Sequence, residues 1–151
     1  METATKNSTA ALINLSTLTQ YFIPFGNFIF PIIIWSTNKD KSDYIDQQGK
    51  QTINFQLSLF MYSCVLALIA VPIFIVAVLQ NASFSALINN DDLVFNDFNL
   101  NEISGILTIA IVAVILFIAL KVAEFFLIIY ASLKTSNGDD FKYPFTINFL
   151  K

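Results

Sequence analysis

Histidine and arginine are both absent from this sequence, and cysteine occurs once. Without His, the usual general base near neutral pH and the commonest metal ligand are missing, so ordinary acid–base or metal-assisted catalysis has no obvious carrier. The lone Cys64 can build neither a disulfide nor a cysteine metal site within one chain, and its apolar surroundings read as those of a buried, inert thiol. Glycine and proline number only four each, which excludes collagen-like, disordered and linker-rich readings. Charge is scarce as well, at 13% of residues against about 25% in soluble domains. A net charge of -3 and a pI of about 4.6 give no basic surface, and the aromatic residues lie in apolar runs instead of alternating with Lys, so nucleic acid is not an expected partner. No Gly-rich phosphate loop, nucleophile elbow or metal-ligand cluster is found. The reading is of a non-enzymatic protein without a cofactor.

What is present is oil. Hydrophobic residues make up 56% of the 151 positions, above the roughly 45–50% of soluble domains, and the mean hydropathy is +0.66. Three windows, 7–38, 51–90 and 103–120, contain no charged side chain. A helix of about 20 apolar residues crosses the hydrocarbon layer of a bilayer, which is roughly 30 Å thick. Within the blocks 65–79 and 106–120 the only exceptions to apolar side chains are Pro72 and Thr108, so no amphipathic face is left for water.

These windows predict a single, all-α membrane domain with about three transmembrane helices, over 12–35, 53–79 and 103–133. Connections at 36–52 and 80–102 and a tail at 134–151 complete the chain. The first helix is interrupted at 24–27, where Pro24 removes a backbone donor and Gly26 and Asn27 follow. In lipid such a break survives only where protein or water satisfies the freed groups, so this stretch is expected to face other helices. The segment could equally fold back there as a re-entrant hairpin. The 36–52 connection reads as a cytoplasmic amphipathic lead-in helix, with Asp46 and Lys50 at the i,i+4 spacing of an ion pair. Asn137-Gly138 supplies a left-handed stop after the third helix. The tail alternates Phe141, Tyr143, Phe145, Ile147 and Phe149 with smaller or polar residues. One strand cannot cross a membrane, so the tail is expected at the interface, as a strap over helix ends or as a partner-binding strand.

Orientation follows from Lys, since no Arg competes. The 36–52 loop carries three and the tail three more, against one in the N-terminal arm and none in 80–102, whose charges are Asp91, Asp92, Asp97 and Glu102. That bias places the C-terminus in the cytoplasm.

Two groups of residues could carry function. Gln47, Gln51, Asn54, Ser58 and Tyr62 recur at steps of three and four and so form a polar stripe on one helix face. It could line a solute path, or it could supply interhelical hydrogen bonds worth about 0.6–2 kcal/mol each. Lys121 and Glu124 are the only charges in the third apolar segment, and their i,i+3 spacing lets them pair. If the pair lies deep it suggests an ion- or proton-linked role; if it lies shallow, Lys121 simply snorkels to the surface.

Finally, Pro24-Phe25-Gly26-Asn27, Pro31-Ile32-Ile33-Ile34-Trp35, Asp46-Gln47-Gln48-Gly49-Lys50, Asn54-Phe55-Gln56, Asn137-Gly138 and Tyr143-Pro144-Phe145-Thr146-Ile147 occur in that order. The pattern resembles a family of small bacterial membrane proteins of unknown function that is distantly similar to the twenty-kilodalton Tic component of the chloroplast inner-envelope import machinery. The resemblance implies a multi-pass protein of the bacterial cytoplasmic (inner) membrane, with a link to protein transport through the plastid relative. Residues and resemblance together favour an accessory or scaffold subunit of a membrane complex, with lipid and membrane proteins or further copies as partners. The rival is a small oligomeric permeation protein with Asn54, Lys121 and Glu124 along its path.

Overall fold

The computed structural model describes residues 2–81 and 105–151, so the acidic stretch holding Asp91, Asp92, Asp97 and Glu102 lies outside the described residues. The described part is all-helical. Helix α1 covers Glu2–Ser16 and passes into a 3-10 turn at Thr17–Tyr21; α2 covers Gly26–Asn38, α3 Asp43–Asn81 and α4 Gly105–Ser136. Two of these are long and apolar enough to cross a membrane, over Asp43–Val76 and Thr108–Ser136.

The first apolar segment departs from expectation. Instead of one interrupted span over 12–35, it forms two helices of 15 and 13 residues, each about 20 Å long and too short to cross roughly 30 Å of hydrocarbon. The interruption occupies the 3-10 turn and residues 22–25, so Pro24 lies in the turn while Gly26 and Asn27 open α2. Phe25 takes the left-handed conformation at φ 61° that joins the two arms. Gly26 is required by close approach, because a Cβ there would lie 2.6 Å from Thr19 Oγ1 and 2.8 Å from the Thr19 carbonyl carbon.

The chain divides into two compact units. The first joins Met1–Met61 to Leu120–Lys151, and a ladder of side-chain contacts fixes its geometry. Tyr44, at the start of α3, donates to the backbone oxygens of Thr135 and Asp139, so α3 begins where α4 ends. Asn7, with its amide oxygen turned toward the Gly138 N–H, accepts from it at 3.1 Å, which sets the start of α1 at that same end. Further along, Asn14 meets Thr52 and Thr135, and Gln20 reaches Glu124. On the return, Asn27 bonds Gln56 and Trp35 bonds Asp46. The N-terminal segment is therefore a helical hairpin that enters and leaves at one end of the α3–α4 pair. A Cβ on Gly49 would collide with the Trp35 indole, so glycine lets α2 lie close against α3.

At the foot of α4, Gly138 at φ 87° ends the helix as its Asn-Gly sequence predicts. The Asp139 N–H bonds the Lys134 oxygen and the Gly138 N–H the Thr135 oxygen, both at 3.1 Å, which is the paired closure of a left-handed helix stop. No strand forms in the tail despite its alternation. It turns at Pro144 and Phe145 and lies along α3 with Phe141 and Tyr143 buried.

The second unit, Tyr62–Ala119, holds the apolar parts of α3 and α4. Among its described residues Ala110 and Ala113 are buried, while Leu68, Phe74, Ile115 and Ile118 each expose more than half of their surface. Exposed side chains of this kind suit a lipid solvent. Cys64 shares that exposure, which corrects the expectation of a buried thiol: an apolar neighbourhood in a membrane helix marks contact with lipid as readily as contact with protein.

Candidate functional site

The polar residues of the first unit gather into a column running inward from the shared helix end. Its outer step is built on Asn14. The Asn14 Oδ1 accepts from Thr52 Oγ1 at 2.6 Å and from Tyr143 Oη at 2.7 Å, while its Nδ2 donates to Thr135 Oγ1 and to the Ala10 oxygen, both at 3.2 Å. All four side chains are buried, and the Tyr143 ring stacks on Phe55 with centroids 4.0 Å apart. Burial holds the Tyr143 phenol well above its ordinary titration range, and the nearby negative charge of Glu124 adds to the shift. A neutral amide, a phenol and two hydroxyls can satisfy one another there without any charge being buried.

One turn deeper on α3, Gln56 accepts from Asn27 Nδ2 at 2.8 Å, while its own Nε2 finds no partner among the described residues. Deepest is Glu124, which is 1% exposed. Gln20 from the hairpin turn donates to its Oε1 at 2.8 Å, and Lys121 pairs with its Oε2 at 2.8 Å while remaining about one-third exposed. Both carboxylate oxygens are therefore occupied. Glu124 lies 11 residues before Thr135, about 16 Å along the helix, or roughly half of a hydrocarbon layer. Tyr21 and Phe125 pack edge to face beside it at 6.3 Å.

The members of the predicted stripe differ in what they touch. Asn54 and Ser58 are buried and bond the backbone of the tail. Asn54 accepts from the Leu150 N–H and donates to the Leu150 oxygen, and Ser58 Oγ accepts from the Ile147 N–H. Gln47 and Gln51 line an open groove of about 440 Å³ with Asn54, Asn148 and Lys151, and Tyr62 belongs to the second unit. A second buried polar series on α3 is Gln48, Thr52 and Gln56, which sequence reasoning missed along with Asn14, Gln20 and Tyr143. Their signal was the step of four in that series and the placing of single amides, Asn14 and Gln20, beside apolar stretches. The two ion pairs expected from spacing are present: Lys121 with Glu124, and Lys50 with Asp46 at 2.6 Å. Asp46 also accepts from Trp35 Nε1, which ties α2 to α3.

Two long apolar helices and a polar-cored hairpin define an all-helical membrane protein. Residues 5–150 match the magnetosome magnetite crystal formation protein family, and the chain belongs to that family. No curated protein and no solved structure matches it. The match overturns the resemblance to plastid import components. The motifs behind that resemblance are ones this fold itself needs: a hairpin turn at 22–26, a glycine under Trp35, a left-handed helix stop and a buried tail. They carry no information about import.

Proposed function

We propose that this chain is a non-enzymatic integral membrane protein of a magnetosome-forming bacterium, serving magnetite crystal formation as an accessory or scaffold subunit. α3 and α4 cross the inner membrane or a compartment membrane of the same kind, and the N-terminal hairpin is re-entrant. The observation that carries this reading is the common end shared by both arms of the hairpin, the start of α3 and the stop of α4. With that geometry Lys6 joins Lys39, Lys41, Lys50, Lys134, Lys142 and Lys151 on one face, leaving only Lys121 within the span, while the connection between the two helices holds no Lys at all. Seven against none is a stronger orientation signal than the six against one of a three-span arrangement, and it favours both termini in the cytoplasm. The break in the helix is tolerated because Gln56, Glu124 and the packed arms of the hairpin surround it.

A scaffold role is supported by side chains that hold helices together among the described residues. Asn54 is committed to the tail and Glu124 to Gln20 and Lys121, and the blocks at 65–79 and 106–120 continue without polar side chains apart from Thr108. A permeation pathway through Asn54, Lys121 and Glu124 would have to break those bonds first.

Reporters on each terminus of the full chain test the topology. Both are expected to be accessible from the cytoplasmic side, and labels on opposite sides would restore three spans. Gentle detergent extraction with crosslinking tests the role: membrane proteins or further copies should be captured, and recovery of a partnerless monomer would overturn it.

A further inference from the structure

The tail is recognised mainly through its backbone. Asn54 grips both the N–H and the carbonyl of Leu150, and Ser58 takes the Ile147 N–H at 2.8 Å. Gln48, with its amide oxygen facing the Phe141 N–H, accepts from that N–H at 3.3 Å and donates to the Phe141 oxygen at 3.2 Å. Side-chain selectivity rests on Tyr143, whose ring lies on Phe55 and whose hydroxyl enters the Asn14 cluster. Helix α3 thus carries an extended-peptide site in which main-chain bonds hold the ligand and one aromatic pocket selects it.

The same contacts can be made by a tail from another molecule. The bonds closing α4 involve the N–H groups of 137–139 and stay with the helix, as does the Tyr44 bond to the Asp139 oxygen, whereas the other main-chain grips on α3 fall at Phe141 or beyond. The hinge therefore falls at Asp140, between the held Asp139 and Phe141. Exchange between two copies breaks each bond in one molecule and re-forms it in the other, which is why swapping of a terminal element is a low-cost route to assembly. Each copy carries both the tail and its site, and a shared membrane confines them to a plane.

We propose that this site on α3 accepts the tail of a second copy, so that neighbouring molecules are joined by exchanged tails. The idea deepens the scaffold reading and rests on it for the meeting of copies in the membrane. The test uses the full chain in two differently tagged versions, the donor carrying a photoreactive residue at Phe149, whose side chain is half exposed. Irradiation should yield an adduct of dimer mass that joins the two tags and maps to α3. Placing Asn54→Ala with Ser58→Ala in the acceptor alone should lower its yield about tenfold, as loss of two or three modest hydrogen bonds implies. The same pair placed in the donor alone should leave the yield unchanged or raise it. Adducts confined to single chains, or equal loss from either placement, would overturn the proposal. Co-purification of the two tags without the α3 adduct would leave the scaffold role standing and remove exchange.

Discussion

Replacing Asn14 by Ala removes the acceptor shared by Thr52 and Tyr143, and the structure says how the loss divides. Thr52 keeps an alternative acceptor, the Gln48 oxygen at 2.9 Å, and Thr135 keeps its bond to the Ala131 oxygen at 2.8 Å. The Tyr143 hydroxyl, buried with the rest of its ring, loses the acceptor at 2.7 Å. An unsatisfied buried donor costs about 1–3 kcal/mol, and polar contacts in membrane proteins fall toward the lower end of such ranges. Asn14→Ala is therefore expected to cost about 1–2 kcal/mol. Tyr143→Phe should cost only about 0.5–1.5 kcal/mol, because the ring keeps its stack on Phe55 and Asn14 keeps Thr52. In the double variant no hydroxyl is left stranded, so its cost should fall short of the sum by about 1 kcal/mol. Equilibrium unfolding of the four proteins in mixed micelles, followed by helicity, gives the cycle. Strict additivity would refute the cluster as a unit, and a silent Asn14→Ala would refute its energetic weight.

Raising pH tests the same phenol. The folded form holds the Tyr143 proton above the value of 10.0 at which the unfolded chain releases it. The stability this represents is present below that value and lost as pH climbs beyond it. Unfolding monitored from pH 8 to 12 should show a decline beginning near pH 10 that Tyr143→Phe reduces; an identical decline in the variant would contradict it. Gly49→Ala should push the indole of the only tryptophan off α3, at a cost of about 1–3 kcal/mol, visible as a shift in Trp35 emission. An unmoved spectrum would show that the close approach does not exist. Glu124→Leu strands the Gln20 amide and leaves Lys121 without its counter-charge, with an expected loss of roughly 2–4 kcal/mol. Faster hydrogen exchange across 17–27 than across α4 would report the hairpin loosening first, and uniform exchange would argue against a latch at that position.

Much of the architecture was legible in sequence because lipid imposes simple demands. Charge-free windows marked α3 and α4, the Asn-Gly pair marked the foot of α4, and i,i+3 and i,i+4 spacings gave both ion pairs. The hairpin was harder to read. A run of apolar residues around Pro24 is the same string whether it crosses or turns back, and the outcome depends on Gln20 and Asn27 finding Glu124 and Gln56 far away in sequence. The burial pattern on α3 was hidden for a related reason. Gln47, Gln51, Asn54, Ser58 and Tyr62 share a helical face, yet burial is decided by what packs there, and the tail and hairpin selected Asn54, Ser58 and the Gln48–Thr52–Gln56 series. The tail's period of two suggested a strand, but without a second edge its amides took side chains of α3 as partners.

The hairpin's return to its starting side has a consequence for how the protein is made. Under that topology no part of residues 1–42 is carried across, although they contain a long charge-free stretch. The membrane insertion machinery then has one crossing to commit, α3, and one return, α4. Because Glu124 sits on that late helix, the carboxylate that secures the hairpin is synthesised some hundred residues after Gln20, so the N-terminal arms must wait at the bilayer surface until the second span arrives to hold them.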